Sequence, residues 1–496
     1  MTKKNKWIVA AILGTQLVAS SARADDTADA IAALKKQIDA LSAKVQQLES
    51  QHQAEVQHQA GIQPPAASQP PTNTTPPATG SSNAIPELGF ITAGSNGFWL
   101  RSADSNYTLR LQGVGQLDGH YYQSFNPGQK DTLTIRRLRL IESGSVFKDY
   151  DYFVQEDFGA LNSVTATNNS LLQDAYVNIH YWPEFQIQGG KFKELVSLEW
   201  QPPDSSLWFL ERSYPSELVP NRNIGIQVHG DLFHGALSYA AGMYNGLQDG
   251  GSGDIETDSN SKDVAARIFA QPFTNTSIPA LQGLGLGLGA SYGYEVGSSL
   301  PSFATVGRQT FFNYTNTAAA AVTEAGDHLR LVPQGWYFWG PSGLFWEYAY
   351  SSERFQLAKT TAPKTTRDFF DNTAWDVSAS WYLTGEKNNL LTPPAPLHPF
   401  RVDGSGLGAW QLVARVGGLD VDPAAFSKKA DFATAGSAQN AETWSVGMNW
   451  LMNKNIKWIF EYDQTSFGFA PGYHAAKGTV AAQNEKVLMT RLQFAF

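Results

Sequence analysis

Eight basic side chains stand out by position: Arg110, Arg137, Arg139, Arg267, Arg330, Arg415, Lys457 and Arg491. Each falls on the polar parity of a segment in which apolar and polar residues alternate, so each would project from the polar face of a strand. Arg137 and Arg139, two residues apart, would stand about 7 Å apart up one wall. A file of guanidinium groups could replace part of an anion's water shell and pass it through successive weak sites. The same parity carries Asp118, Asp174, Glu295, Glu347, Asp376, Glu461 and Asp463, which could instead neutralise those bases in ion-pair networks. Eight bases against seven acids is no excess. Arg136, on the opposite parity, is expected to snorkel toward an interface at a strand end.

Other chemistry is sparse. The chain has no cysteine, which excludes disulfide scaffolds, thiolate metal sites and thiol nucleophiles. Its nine histidines are scattered and no nucleophile–base arrangement occurs, so the reading is of a non-enzyme with no catalytic residue, cofactor or committed metal ligand. His52 and His58 lie six apart in a Gln-rich tail and read as a solvated face. The loop 249–263 is rich in Asp, Gly and Ser and could take Ca²⁺, but without EF-hand spacing it reads as a solvated loop. A net charge of −9 argues against a nucleic-acid partner.

The elements that would position these side chains are strands. Trp444, Val446, Met448 and Trp450 alternate with Ser445, Gly447 and Asn449; Trp458, Phe460 and Tyr462 alternate with Lys457, Glu461 and Asp463. Leu284, Leu286, Leu288, Tyr292 and Tyr294 alternate with glycine and serine. Strict period two gives one apolar and one polar face. Glycine opposite leucine makes a poor core but leaves room in a lumen, so the apolar face is expected to meet lipid and the polar face water.

The pattern predicts an all-β fold, a 16-stranded antiparallel transmembrane β-barrel. Its strands fall near 107–117, 132–147, 150–158, 172–181, 185–192, 222–232, 235–243, 263–271, 283–296, 327–338, 343–352, 373–384, 407–418, 442–453, 455–466 and 486–496. Short turns alternate with long polar segments such as 193–221, 244–262, 297–326, 419–441 and 467–485, as periplasmic turns and extracellular loops should. On the short-turn side, 272–282 and 385–406 are longer than this rule predicts. The last residue, Phe496, is an aromatic on the lipid-facing parity.

Ahead of the barrel, residues 1–24 read as a signal peptide: Lys3, Lys4 and Lys6, an apolar stretch, then Ala22-Arg23-Ala24. Its removal leaves 32 basic and 45 acidic residues, a net charge of −13. Residues 25–60 read as a coiled-coil helix, with Ile31, Leu34, Ile38, Leu41, Val45 and Leu48 at heptad positions. Residues 61–88 read as a Pro/Ser/Thr-rich linker, and 89–496 as the barrel.

The chain resembles the phosphate- and polyphosphate-selective porin family. The likeness rests on Ile135-Arg136-Arg137-Leu138-Arg139-Leu140, Asp174-Ala175-Tyr176, Gly190-Lys191-Phe192-Lys193-Glu194, Leu210-Glu211-Arg212-Ser213, Tyr239-Ala240-Ala241-Gly242, Tyr382-Leu383-Thr384-Gly385-Glu386 and Gly408-Ala409-Trp410, in the family's order. It implies a homotrimer in the Gram-negative outer membrane, with lipid around it and the coil in the periplasm. It also implies a constriction loop at about 194–220, containing Glu194, Trp200, Trp208, Glu211 and Arg212. Phosphate-specific members carry lysines there; this chain has no Lys or Arg between Glu194 and Glu211, and offers Trp200, Leu207, Trp208 and Phe209. The expected function is passive diffusion of small hydrophilic solutes, with anions such as phosphate or polyphosphate favoured by the family likeness and by Arg137 and Arg139. The alternatives are a general or sugar/aromatic-acid channel, raised by the loop's tryptophans, or an envelope tether in which the coil contacts the cell wall.

Overall fold

The computed structural model describes residues 89–123, 130–159, 171–253, 260–298, 300–361, 365–427, 432–474 and 484–496. The signal segment, coiled coil, linker and His52/His58 lie outside the described residues. The strands among the described residues are β1 (Phe90–Gly94), β2 (Gly97–Arg101), β3 (Thr108–Tyr122), β4 (Thr132–Val146), β5 (Tyr150–Asp157), β6 (Leu172–Trp182) and β7 (Phe185–Lys193). They continue with β8 (Arg222–Leu232), β9 (Leu237–Asn245), β10 (Lys262–Ala270), β11 (Leu284–Gly297), β12 (Ser302–Ala304), β13 (Thr310–Asn313) and β14 (Ala320–Trp339). The last six are β15 (Ser342–Lys359), β16 (Thr366–Tyr382), β17 (Ala409–Asp420), β18 (Asn440–Leu451), β19 (Ile456–Gly468) and β20 (Glu485–Ala495).

β3 to β11 and β14 to β20 pair in sequence order, each antiparallel to the next, and β20 returns to β3 from Val487↔Tyr122 to Ala495↔Val114. That is a closed 16-stranded barrel. Closure leaves no unpaired edge in hydrocarbon, where each orphaned backbone group would cost several kcal/mol. At the seam, the Phe496 amide donates to Gly113 O at 3.0 Å and the Gly113 amide to Phe496 O at 3.2 Å. The hairpin of β1 and β2 adds to the start of β3, with Phe98 opposite Leu111. The alternation gave no sign of this hairpin.

The sidedness follows the parity. Leu133, Ile226, Val264, Ile268, Trp375, Trp381, Trp444, Leu488, Leu492 and Phe494 are exposed on the outer face, while Gln116, Asp118, Arg137, Arg330, Glu347, Arg415, Glu461 and Arg491 are buried within. Fifty or so kilodaltons of water-soluble protein would not leave a belt of this size uncovered; it is a lipid-facing surface.

Three expectations need correction. Arg136 does not point outward. β4 carries a bulge there, Gln116 pairing with Arg137 and Leu117 with Ile135, so the extra residue Arg136 turns inward with Arg137. Nor are segments 297–326 and 419–441 simply polar loops. The first holds the β12–β13 hairpin and the start of β14; Phe303, Phe311, Phe312 and Tyr314 from it join Phe426 and Phe432 from the second in the largest buried apolar cluster. Lastly, the glycines of β11 do not open empty space. A Cβ at Gly285 would meet the Phe269 and Trp336 rings, and one at Gly289 would overlap the Val196 carbonyl of the 194–221 loop.

One of the two overlong connections gains a physical account. From 383–408 the chain folds back to bury Leu390 against Trp208, Phe345 and Val413. Asn388 anchors it by donating to Ser380 Oγ at 2.9 Å and Pro341 O at 3.1 Å.

Candidate functional site: the loop that crosses the barrel

The segment between β7 and β8 begins and ends at a neck, where the Glu194 amide donates to Asn221 O at 3.1 Å. From there it crosses to the opposite wall. Gln334 of β14 donates to Val196 O at 2.8 Å; the amides of Leu198 and Glu199 donate to Glu347 of β15 at 2.8 and 2.9 Å. Farther along, Asn449 of β18 donates to Trp208 O at 2.8 Å, and Lys457 of β19 donates to Ser205 O at 3.1 Å and Leu207 O at 2.9 Å. The Leu210 amide donates to Glu461 at 2.7 Å, while Arg491 of β20 and Arg415 of β17 donate to the carbonyls of Leu210 (2.6 Å) and Glu211 (2.8 Å). A loop in an aqueous lumen has backbone groups to satisfy, and here the wall's charged side chains satisfy them.

Two loop carboxylates organise the arginines. Asp204 receives Arg139 and Arg212 directly and lies 3.5 Å from Arg137. Glu211 takes a bidentate pair from Arg136 at 2.6 and 3.0 Å, and Arg491 stands 3.3 Å away. Burial alone would raise both carboxyls, but the surrounding guanidiniums hold each well below the usual carboxylate range. Arg139 also bonds Asp157 at 2.7 Å, and Arg491 pairs with Asp118 at 2.7 Å through both nitrogens.

The eight bases therefore divide. Arg137, Arg139, Arg330, Arg415 and Arg491 are tied to carboxylates, Arg330 to Asp249 (2.7 Å), Asp263 and Glu295, and Arg415 to Glu461 (3.1 Å). Instead of an open Arg137–Arg139 ladder, the two groups share Asp204. Lys457 holds loop carbonyls, Arg267 donates to Gln334 Oε1 at 2.8 Å over the Phe269 ring, and Arg110 lies near the barrel's short-turn end, donating to Asn96 O at 2.8 Å beside Trp99. Sequence parity missed Asp204, Arg136, Arg222 and Arg308. The first lies in irregular chain, the second in a bulge, and Arg222 bonds Asp174 at 2.9 Å at the very start of β8. Only the contiguous Arg136-Arg137 pair hinted that something unusual occurs in β4.

The loop's aromatic residues face the wall. Trp208 and Phe209 are buried with Leu198, Phe269, Trp336 and Phe345, and Trp200 lies under the Arg212 guanidinium at 4.0 Å. They wedge the loop in place and are not presented to a passing solute.

Glu194 at the neck gives a pH prediction. It is fully buried, accepts from Asn223 at 2.9 Å, and burial pushes its carboxyl up to about 7. A raised carboxyl contributes stability that is fully present below its unfolded value of 4.5 and is lost as pH rises through about 7. Asp204 and Glu211, held low, lose theirs only in stronger acid. The detergent-solubilised protein is thus expected to unfold at a temperature a few degrees higher at about pH 5.5 than at about pH 8.5. Glu194→Gln should reduce that difference without abolishing it, because burial raises the Glu217 carboxyl of the same loop to about 7 as well, and an opposite slope in thermal scans would contradict the assignment.

With this geometry in view, the comparisons are these. The profile of the family described as phosphate-selective porin O and P matches residues 106–496. No curated protein matches the chain. Among solved structures it is similar to the outer membrane channel DcaP of Acinetobacter baumannii, at 11% identity over 79% of this chain and 98% of that one, with a TM-score of 0.48. It is also similar to OmpF of Salmonella typhi, solved with daunomycin (12% identity, 79% and 98% covered, TM-score 0.47), and to the trimer form of OmpT, an outer membrane protein of Vibrio cholerae (10%, 79% and 99%, 0.44).

Proposed function

The chain belongs to the phosphate-selective porin O and P family, and from that premise we propose that it lets small hydrophilic solutes diffuse passively, with a modest preference for anions. It is an outer-membrane channel rather than an enzyme. The observation that supports the anion preference is Arg308, an exposed cation in the outer connection between β12 and β13. Its neighbours fix it near the inner wall: the Tyr122 hydroxyl of β3 donates to Gly307 O at 2.7 Å and accepts from Gln309 at 2.8 Å. Arg136 is paired with Glu211, so Arg308 is the cation of the two that is open to a passing anion. In the Asp204 and Glu211 network, Arg136, Arg137, Arg139, Arg212 and Arg491 face Asp118, Asp157, Asp204 and Glu211, while Arg415, Lys457, Glu194, Glu199, Glu347 and Glu461 also stand on or against the loop. Charges so nearly balanced support a modest preference and not strict selectivity. Phosphate is the family's namesake solute and the first to try.

Planar-bilayer reversal potentials in a KCl gradient test the reading. Anion preference is expected, and Arg308→Ala should bring the permeability ratio closer to one. Cation preference in the unaltered channel would remove the claim. Partial block of chloride current by added phosphate is the expected sign of a phosphate site. The working unit we propose is a homotrimer, as the family likeness implies, to be checked by native mass in detergent. The coil and linker would support assembly or cell-wall contact: truncation at Pro86 that dissolves trimers speaks for assembly, and truncation that weakens the envelope with uptake unchanged speaks for a tether. Burial of Trp208 and Phe209 weakens the case for an aromatic-acid channel, which then rests on the partly buried Trp200.

A further inference from the structure

A second charged cluster, remote from Asp204 and Glu211, is unlike the rest because its charges do not balance. On the inner wall, β11, β14 and β15 bring together Glu295, Glu324, His328, Arg330 and Glu353, joined by Asp249 from the loop after β9 and by Asp263 of β10. Five carboxylates face one arginine and one histidine, an excess of three negative charges even with His328 protonated. Buried charge persists when it is paired, protonated or bound to a metal.

The partners are unevenly shared. Arg330 is taken by Asp249 at 2.7 Å, Asp263 at 3.2 Å and Glu295 at 3.3 Å. His328 donates or accepts at both ring nitrogens, with Glu295 at 3.0 Å and Ser351 at 2.8 Å. Glu324 is only 6% exposed; its side chain has no hydrogen bond or ion pair among the described residues, and its Oε1 is orphaned together with Glu295 Oε2 and Glu353 Oε1. A bulge in β14 between Glu324 and His328 sets this up; Gly326 within it has φ 155°, a conformation open to glycine and strained for other residues. Glu324 shares the inward parity of His328 and Arg330, and the bulge, four residues of β14 against two of β15, draws it nearer Glu353 along the wall. One carboxylate oxygen from each of Glu295, Glu324 and Glu353 lies within 4.8 Å of the other two.

We propose that Glu295, Glu324 and Glu353 bind one divalent cation of the hard, oxygen-seeking kind, and that calcium fits best. An all-carboxylate set selects for such ions over soft transition metals. Ca²⁺ accepts six to eight oxygens at about 2.3–2.6 Å in flexible geometry and takes carboxylates readily, whereas Mg²⁺ demands a near-ideal octahedron at about 2.0–2.1 Å and is reluctant to give up its water. The ion would cut the local excess from three negative charges to one and tie three neighbouring strands at the level where the loop after β9 enters. The alternative trio of Asp249, His328 and Glu353 would suit zinc, but both His328 nitrogens and both Asp249 oxygens already have partners, whereas Glu295, Glu324 and Glu353 each keep an oxygen without one.

The experiment uses the full chain, purified in detergent, freed of lipopolysaccharide and stripped with EDTA. Titration with CaCl₂ by calorimetry is expected to show one ion per chain and to raise the unfolding temperature more than equal MgCl₂. Glu324→Gln and Glu295→Gln should each weaken binding at least about tenfold, whereas Asp327→Asn, an exposed carboxylate nearby, should leave it unchanged. Stripped protein that takes up no calcium at millimolar concentration overturns the proposal. So does calcium binding that survives in both glutamine variants, or zinc binding that outcompetes calcium and is lost on His328→Gln. Should one glutamine variant fail to fold, the other and the wild-type stoichiometry still decide the matter.

Discussion

Asp204→Asn is expected to make the channel markedly more anion-selective and the protein markedly less stable. The carboxylate is buried and holds Arg137, Arg139 and Arg212 at once. An amide of the same shape keeps the space filled but removes the charge. Arg139 would retain Asp157, and Arg137 would keep a neutral partner, Gln116 Oε1 at 2.9 Å, with Glu211 its nearest carboxylate at 4.0 Å. Breaking a buried ion pair by deleting one partner typically costs about 3–5 kcal/mol, because the charge left behind has lost both water and counter-ion. The freed positive charge sits beside the crossing loop, so it adds directly to the field felt by a passing ion. Two readouts are expected to move together: the reversal potential in a KCl gradient toward that of chloride, and the thermal midpoint downward. Adding Arg212→Gln to Asp204→Asn should recover part of both, since the pair then loses opposite charges and the remaining coupling can be read from the double-mutant cycle. An unchanged reversal potential in a channel that still opens would mean that Asp204 does not shape the ion path.

The dependence of so much on one loop aspartate explains what the sequence could and could not disclose. Barrel architecture was legible because period-two patterning is a local property: Trp444 to Trp450 and Lys457 to Asp463 declare their faces without reference to the rest of the chain. Strand order followed from turn and loop lengths. The bulge at Arg136 was hidden because one inserted residue leaves the composition of β4 unchanged while reversing the side chain's direction. The pairing of the arginines was hidden for a different reason. Their partners Asp204 and Glu211 lie in irregular chain, where no period links position to direction, and they meet Arg137 and Arg491 only after the loop has crossed the barrel. Parity told which residues face inward; it could not tell that the space inside is partly filled by the protein's own loops. The apolar residues of 297–326 and 419–441 carried that message faintly, since a solvated loop has little use for Phe303, Phe311, Phe312 and Phe426 in so short a span. Those side chains are buried in one cluster with Tyr214 and Leu218 of the crossing loop.

Gly289→Ala tests the other half of that conclusion, that glycine in β11 makes room for a loop and not for water. Gly289 pairs with Arg267 on one side and Val332 on the other, inside regular strand. An alanine there demands no unusual backbone, so its cost is purely steric. The added methyl would overlap the Val196 carbonyl oxygen and lie 2.8 Å from its carbon and 3.0 Å from Val196 Cα. Backbone cannot rotate out of the way as a side chain can, so either the strand or the loop must give. β11 is held by ladders on both edges, whereas Val196 is held there by a single bond from Gln334 at 2.8 Å. The loop is the softer partner. Its displacement should break the Gln334 bond and strain the two that Leu198 and Glu199 make to Glu347. The expected result is a single-channel conductance altered by at least about twofold, the pore's narrowest width being what sets its current. Gly115→Ala is the control: it also lies within regular strand, its methyl would meet nothing within 4 Å, and it should leave conductance nearly unchanged. If both variants conduct alike, the crossing loop does not set the width of the ion path, and the narrowest point must be sought among the aromatic side chains at the outer mouth.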